Sequence, residues 1–523
     1  MAAYPKPSIP PPRERLNLLQ RSSLRTALVG LSVFAAVAAY LAALHLPLID
    51  DSYIMLAYAR TLATSGTWGM YPGHVGNAVT SPLDVILTAI VGRVVGSYTA
   101  AVIWLSAAEL AVAFLACRSI ASRLKLPAFP VLALVALAAN PLLLSTLGLE
   151  SVLFAALLIA GFAAWMAERD LLLGIIFGLL ILARPDGALF AWMIGGMLAL
   201  QGRLRSSTIN AAVLVVAPWL AYSWVHLGSM LPDSFFLKTL ERSWGGQEFG
   251  PGLKLYYAAY PLATLGSFVL APFGFIAVRD SRLRQLLIGF AELHFFAYTI
   301  LGVPPYHWYY VPEVVSLTIA GALYVAEVSA RHGRQFFFAA IAVPVCILAM
   351  LMIHAGFPPQ EPFIHTNWAT ASRYEEVARD LNAHTAAGQP ILFFGEIGTL
   401  AFYSHSELVD IFSDPSVLPF ALNQQGLGSP LRRFLLDVNF TFRSLRSSYG
   451  KPQLIMMHQI ADPADGRYPP KPEGATLSWK TSTKWRPYGR ISLIPRPCSS
   501  AACRYDFHQT EERTPKEMEK LRQ

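Results

Sequence analysis

Long apolar runs recur along this chain from residue 25 to residue 354, and nothing else in the sequence limits the fold as tightly. They fall at 25 to 46, 82 to 97, 100 to 117, 128 to 147, 150 to 167, 171 to 183, 186 to 201, 208 to 227, 257 to 278, 285 to 302, 309 to 328 and 335 to 354. A hydrocarbon core about 30 Å thick takes about 20 helical residues to cross. Inside it every backbone polar group must find a partner within the protein, which helices supply. With 54% hydrophobic and only 14% charged residues, the composition agrees with the runs. The expected class is an α-helical polytopic membrane protein.

Sidedness follows from the basic residues. Arg13, Arg15, Arg21 and Arg25 precede the first run, which is too long for a signal-peptide core and is followed by Pro47, Leu48 and Ile49, so the N-terminus is placed in the cytoplasm. If every run crossed the membrane, Arg118, Arg123 and Lys125 would lie outside. Assigning 82 to 97 to the membrane surface, because Ser81-Pro82 opens it and Asp84 and Arg93 interrupt it, restores the alternation. Arg169, Arg203, Arg205, Arg279, Arg282, Arg284, Arg331 and Arg334 then join that first cluster on the cytoplasmic side, and about eleven helices cross.

The resulting division is a cytoplasmic segment 1 to 24, a transmembrane module 25 to 357 with a large first outer loop 47 to 98, an extracytoplasmic α/β domain 358 to 508, and a charged tail 509 to 523 without an apolar face, read as disordered. The α/β expectation rests on a helical stretch Arg373 to Thr385, strand-like runs Pro390 to Phe394, Glu407 to Ile411 and Gln453 to Met457, and an amphipathic stretch Leu431 to Tyr449. Cys498 and Cys503 fall where a disulfide is permitted, although spacing alone does not pair them. Cytoplasmic loops account for the excess of 41 basic over 33 acidic residues. No basic stripe with interleaved aromatics marks a nucleic-acid partner.

The outer segments gather the unusual polar residues Asp50, Asp51, Asn77, Glu150, Arg184, Asp186, Asp233, Lys238 and His307. Such a set fits either a transport pathway, as in a transporter or flippase of a lipid-linked saccharide, or an enzyme acting on a lipid-borne substrate. Transport residues cluster near the bilayer midplane, whereas these lie at outer helix ends beside a water-exposed α/β domain, which favours the enzyme.

The stretch Asp50-Asp51-Ser52-Tyr53-Ile54, followed by Tyr58-Ala59-Arg60-Thr61-Leu62, resembles the first outer loop of the GT-C superfamily of membrane glycosyltransferases. Gly148 to Ser151, Arg184 to Gly187 and Leu231 to Lys238 resemble, in order and spacing, motifs of its actinobacterial arabinofuranosyltransferase-like branch, and Phe393 to Asp410 resembles the start of the C-terminal domain there. Asp233 departs from the pattern, since relatives commonly carry Asn. The resemblance implies transfer of a sugar, arabinofuranose first, from a polyprenyl-phosphate donor to a cell-wall polysaccharide or glycolipid acceptor at the outer face of the cell membrane, with inversion.

That reaction needs a base for the acceptor hydroxyl, and Asp50 or Asp51 is the candidate. It needs donors and cations for the departing phosphate, for which Arg184, Lys238 and His307 are candidates with Arg60 behind them. Glu150, Asn77, Asp233 and Tyr306 are candidates for holding acceptor or sugar, and the aromatic segment Tyr306 to Tyr310 suits the lipid boundary. Structural readings stand beside these. Asp50, Asp51 and Glu150 can cap helices, Arg184 can anchor at the interface, His307 can belong to an aromatic belt, and Lys238 can snorkel. Asn caps as well as Asp, so Asn variants of the acid pair are expected to fold. No metal-ligand spacing is present, and a cation on the adjacent acids would need Glu150; no cofactor is assigned.

Overall fold

Every apolar run is helical in the computed structural model, which describes residues 12–241, 243–276, 278–393, 395–410, 412–413, 430–443 and 452–495. The Cys498 and Cys503 pairing and the tail from 509 lie outside the described residues. In chain order the membrane module contains α1 (Pro12–Leu44), α2 (Asp50–Ser65), α3 (Pro82–Val95), α4 (Tyr98–Leu124), α5 (Phe129–Ala138), α6 (Pro141–Ser145), α7 (Ser151–Met166), α8 (Asp170–Ala183), α9 (Gly187–Leu200), α10 (Ser206–Tyr222), α11 (Asp233–Glu241), α12 (Leu253–Ala259), α13 (Pro261–Ser267), α14 (Ala271–Phe275), α15 (Arg282–Leu301), α16 (Val311–His332) and α17 (Gln335–Ala355).

Five described helices are long and apolar enough to cross a membrane: Ser23–Leu44 of α1, α4, α10 with its wider last turn, α16 with the turn before it, and α17. The apolar helices α7, α8 and α9 have 16, 14 and 14 residues, which at about 1.5 Å per residue reach only about 21 to 24 Å. Leu200, Ile300 and Ile353 are 93%, 83% and 82% exposed on outward faces, an arrangement a bilayer tolerates and water does not. α16 lies at the centre, with 78% of its span buried.

The C-terminal domain adds α18 (Ala371–His384), β1 (Pro390–Phe393), α19 (Gly398–Tyr403), β2 (Glu407–Val409), α20 (Pro430–Asn439), β3 (Leu454–Ile460), β4 (Leu477–Thr481) and β5 (Gly489–Pro495). The sheet order is β2-β1-β3-β5-β4, with β1 parallel to β2 and β3, and β5 antiparallel to both β3 and β4. α18 presents Tyr374, Val377, Ala378 and Leu381 as one buried stripe at helical spacing. The α/β expectation holds, and β4 and β5 extend it beyond the three anticipated strands.

Two features carry this domain to the membrane module. One hydrophobic cluster contains Met55, Tyr58, Trp68 and Val85 of the segment 47 to 98 together with Val377, Ile391, Phe393 and Leu400, so segment and domain share one core and one side of the bundle. The connection from α17 to α18 also runs inside the protein. Phe363, Ile364, His365 and Asn367 are buried, and their backbone polar groups find partners there: Ile364 N–H donates to Ser145 Oγ at 2.9 Å, and the Tyr260 hydroxyl donates to the His365 carbonyl.

Candidate active site

The two adjacent acids at the start of α2 have different surroundings. Asp50 is 4% exposed, and its Oδ2 and Oδ1 accept hydrogen bonds from the backbone N–H of Gly398 and of Thr399, both at 2.8 Å. Its own N–H donates to Asn367 Oδ1 at 3.2 Å. Gly398 must be glycine for this approach, since a Cβ there would stand 2.0 Å from the Asp50 carbonyl oxygen. Burial pushes the Asp50 carboxyl up to about 6, against the pull of the two N–H groups.

Asp51 is half-buried, and no other described residue hydrogen-bonds its carboxylate. Burial raises its pKa while the nearby Lys238 ammonium lowers it. Of the pair, Asp51 therefore has lone pairs available to a substrate proton.

Arg60, anticipated near the phosphate, is placed elsewhere. Its guanidinium donates to the carbonyls of Phe402 and Ala401, the latter at 3.3 Å, at the C-terminal end of α19. α2 thus holds α19 at both ends, with a carboxylate at the N-terminus and a cation at the C-terminus, the polarity that the helix dipole favours.

Lys238, in the last turn of α11, faces an aromatic wall. Its Nζ lies 5.0 Å from the Tyr306 ring centre, 5.5 Å from Trp308 and 5.7 Å from Tyr309, and its charge reaches both Asp51 and Glu150. Tyr306 and Trp308 stack at 4.7 Å, and Trp244 continues the row from Tyr306 to Trp485 of the C-terminal domain. Glu150 is brought to this place by Gly148, whose φ of +82° and contact with Ser52 leave no room for a side chain.

Arg184 is 3% exposed. It donates to Glu150 Oε1 and the Trp308 carbonyl, both at 3.1 Å, and to Asp186 from Nε and Nη2, the shortest of these at 2.7 Å. Asp186 also accepts from the Tyr298 hydroxyl at 2.8 Å and meets His294 at 3.0 Å, whose other ring nitrogen lies 2.7 Å from Glu313. This buried network orients Glu150, and Arg184 spends four of its five N–H donors inside it, so the phosphate role anticipated from the sequence competes with that structural one.

The remaining candidates are drawn elsewhere. His307 is fully buried against Tyr256 and Trp308. Asn77 donates to Ser223 Oγ, Ser229 O and Ser229 Oγ, and its carbonyl accepts from Asp233 N–H at 2.7 Å. Asp233 accepts from Ser229 Oγ and pairs with Arg443. Asn77 and Asp233 thus stitch the loops around residues 77 and 229 to the C-terminal domain.

Sequence reasoning missed Glu396, Asn367, His294, Tyr298 and Glu313. Glu396 accepts from Asn367 Nδ2 at 3.0 Å, Trp368 N–H at 2.8 Å and the Tyr374 hydroxyl at 2.7 Å, while burial and the Asp50 carboxylate push it up to about 8. His294 and Glu313 were visible as ionisable residues inside apolar runs, a signal worth following in any membrane segment. Among the described residues no cluster of ligating side chains is arranged to hold a metal ion.

The fold has counterparts among solved structures. The undecaprenyl phosphate-bound ArnT from Cupriavidus metallidurans matches 88% of this chain and 97% of its own at 14% identity, with a TM-score of 0.53. Its apo form matches 89% and 98% at 16% identity, with a TM-score of 0.54. The chain shares the overall fold of this ArnT. The arabinofuranosyltransferase AftD from Mycobacteria aligns more loosely, at 14% identity over 89% of this chain and 40% of its own, with a TM-score of 0.47. No family profile and no curated sequence matches the chain.

Proposed function

We propose that this protein is an inverting GT-C glycosyltransferase that moves a sugar, arabinofuranose first, from a polyprenyl-phosphate donor to a cell-wall polysaccharide or glycolipid at the outer membrane face. The observation that carries this reading is the contrast within the acid pair: the Asp50 carboxylate is committed to α19, whereas the Asp51 carboxylate accepts no hydrogen bond from another described residue and lies within the field of Lys238. The acceptor hydroxyl attacks the anomeric carbon on the face opposite the phosphate. As the new C–O bond forms, its proton passes to the Asp51 carboxylate, and the electron pair of the breaking C–O bond leaves on the phosphate. Lys238, held in the Tyr306, Trp308 and Tyr309 wall, balances that growing charge.

Glu150, fixed by Arg184, is assigned to acceptor or sugar hydroxyls. The ArnT neighbour was solved with undecaprenyl phosphate, which supports a lipid-phosphate donor of this kind; the choice of arabinofuranose rests on the motif resemblance. Reconstitution with a panel of polyprenyl-phosphate sugars, with mass detection of the transferred residue, tests the reading. Lipid translocation without transfer would favour a flippase instead.

A further inference from the structure

We infer that Asn367 and Glu396, contributed by the buried connection and the C-terminal domain, are positioning residues for Asp51, so that the soluble domain is part of the catalytic apparatus. The inference rests on Asp51 being the base. The contacts form one continuous circuit. Trp368 N–H and the Tyr374 hydroxyl fix Glu396 Oε2, and Asn367 Nδ2 donates to Glu396 Oε1 at 3.0 Å. The other end of the same amide, Oδ1, accepts the N–H of Asp50, while the Asp50 carboxylate is held by Gly398 and Thr399 two and three residues beyond Glu396. The Asn367 carbonyl accepts from Thr483 Oγ1 at 3.0 Å, which ties the β4–β5 hairpin to the same point.

Asp50 is therefore gripped at both its backbone and its side chain by groups outside the membrane module. Asp51 is the next residue on the same helical turn, and its direction is set by that grip. Reacting groups need placement to within a fraction of an ångström, and a shift of about 1 Å can cost about 100-fold in rate. A closed circuit of this sort is superfluous for merely attaching a domain that already shares a hydrophobic core with α2 and α3.

The chemistry of the Asn367–Glu396 contact allows a swap. Glu396→Gln sets an amide donor against the Asn367 amide donor, with the Gln oxygen retained by Trp368 and Tyr374. Asn367→Asp replaces the amide–carboxyl contact by two carboxyl groups that must share a proton and cannot reproduce the amide geometry. Combined, the Gln amide donates to the new carboxylate, whose second oxygen still accepts from Asp50 N–H, and every partner is restored.

Full-length protein carrying N367D, E396Q or both is reconstituted and assayed with polyprenyl-phosphate arabinofuranose, with D51N in parallel and binding of polyprenyl phosphate measured separately. Each single variant should lose at least about 10-fold in kcat with KM and lipid binding within about 2-fold, and the double variant should recover to within about 3-fold of the parent. Singles with parental kcat, loss of lipid binding in step with turnover, or a double no better than the singles would overturn the positioning role. Turnover retained by D51N would instead remove the assignment of the base on which the inference depends.

Discussion

Asp50→Ala separates the two acids most sharply. The change removes the acceptor for two backbone N–H groups, at 2.8 Å each, in a place where the carboxylate is only 4% exposed. Loss of an ordinary helix cap costs about 0.5 to 2 kcal/mol, but a buried donor left without a partner costs about 1 to 3 kcal/mol by itself. With two donors affected and partial relief by water, a local cost of about 2 to 4 kcal/mol follows. That equals roughly 30-fold to 1,000-fold faster hydrogen exchange at the Gly398 and Thr399 amides, resolved by mass spectrometry of peptides covering 395 to 405. Asp50→Asn should give a smaller effect of the same kind. The equivalence of Asn and Asp expected from capping alone fails here, because both oxygens of Asp50 accept and an amide supplies only one. Unchanged exchange at these two amides, combined with complete loss of transfer, would refute the reasoning and return Asp50 to a chemical role.

Lys238→Gln should lower kcat by about 100-fold to 1,000-fold with the fold intact, as expected for a cation lost from a developing charge. Arg184→Gln should instead unfold the module, since breaking a buried ion pair costs about 3 to 5 kcal/mol; a Tm equal to the parent's would reinstate Arg184 as a phosphate ligand. Glu396, pushed up to about 8, binds its proton more tightly in the folded protein than in the unfolded chain, so folded stability falls as pH rises from the ordinary carboxylate range through about 8. Resistance of the C-terminal domain to proteolysis should accordingly decline between pH 6.5 and 8.5, and E396Q should flatten that decline. Cysteines placed at the exposed Val75 and Ser482 should both label from outside intact cells, with one at Ser206 protected; labelling of only one outer site would break the charge-based sidedness.

The helical module and the α/β character of the C-terminal domain were legible because each apolar run must satisfy its own backbone, a local demand that local sequence records. The short strands β4 and β5 were not anticipated, although Trp479 and Thr481 carry a buried alternation and Ile491-Ser492-Leu493 alternates apolar with polar. Within the site, the grouping of motifs, outer polar residues and the aromatic segment led to Asp51, Glu150, Lys238 and Tyr306, which the fold gathers. It also led to Arg60, Asn77, Asp233 and His307, which the fold uses for docking and packing. The two groups share residue types and loops, and what separates them is which partner hundreds of residues away meets each side chain. Arg60 meets Phe402 and Asp233 meets Arg443, pairings that sequence spacing cannot express.

Asp51→Asn in the reconstituted protein, assayed for sugar transfer from polyprenyl-phosphate arabinofuranose alongside binding of polyprenyl phosphate, tests the central claim most directly. The substitution removes a base while disturbing no hydrogen bond from another described residue, so folding and lipid binding should match the parent, and turnover should fall by about 100-fold to 10,000-fold. Near-parental turnover in that variant would contradict the account.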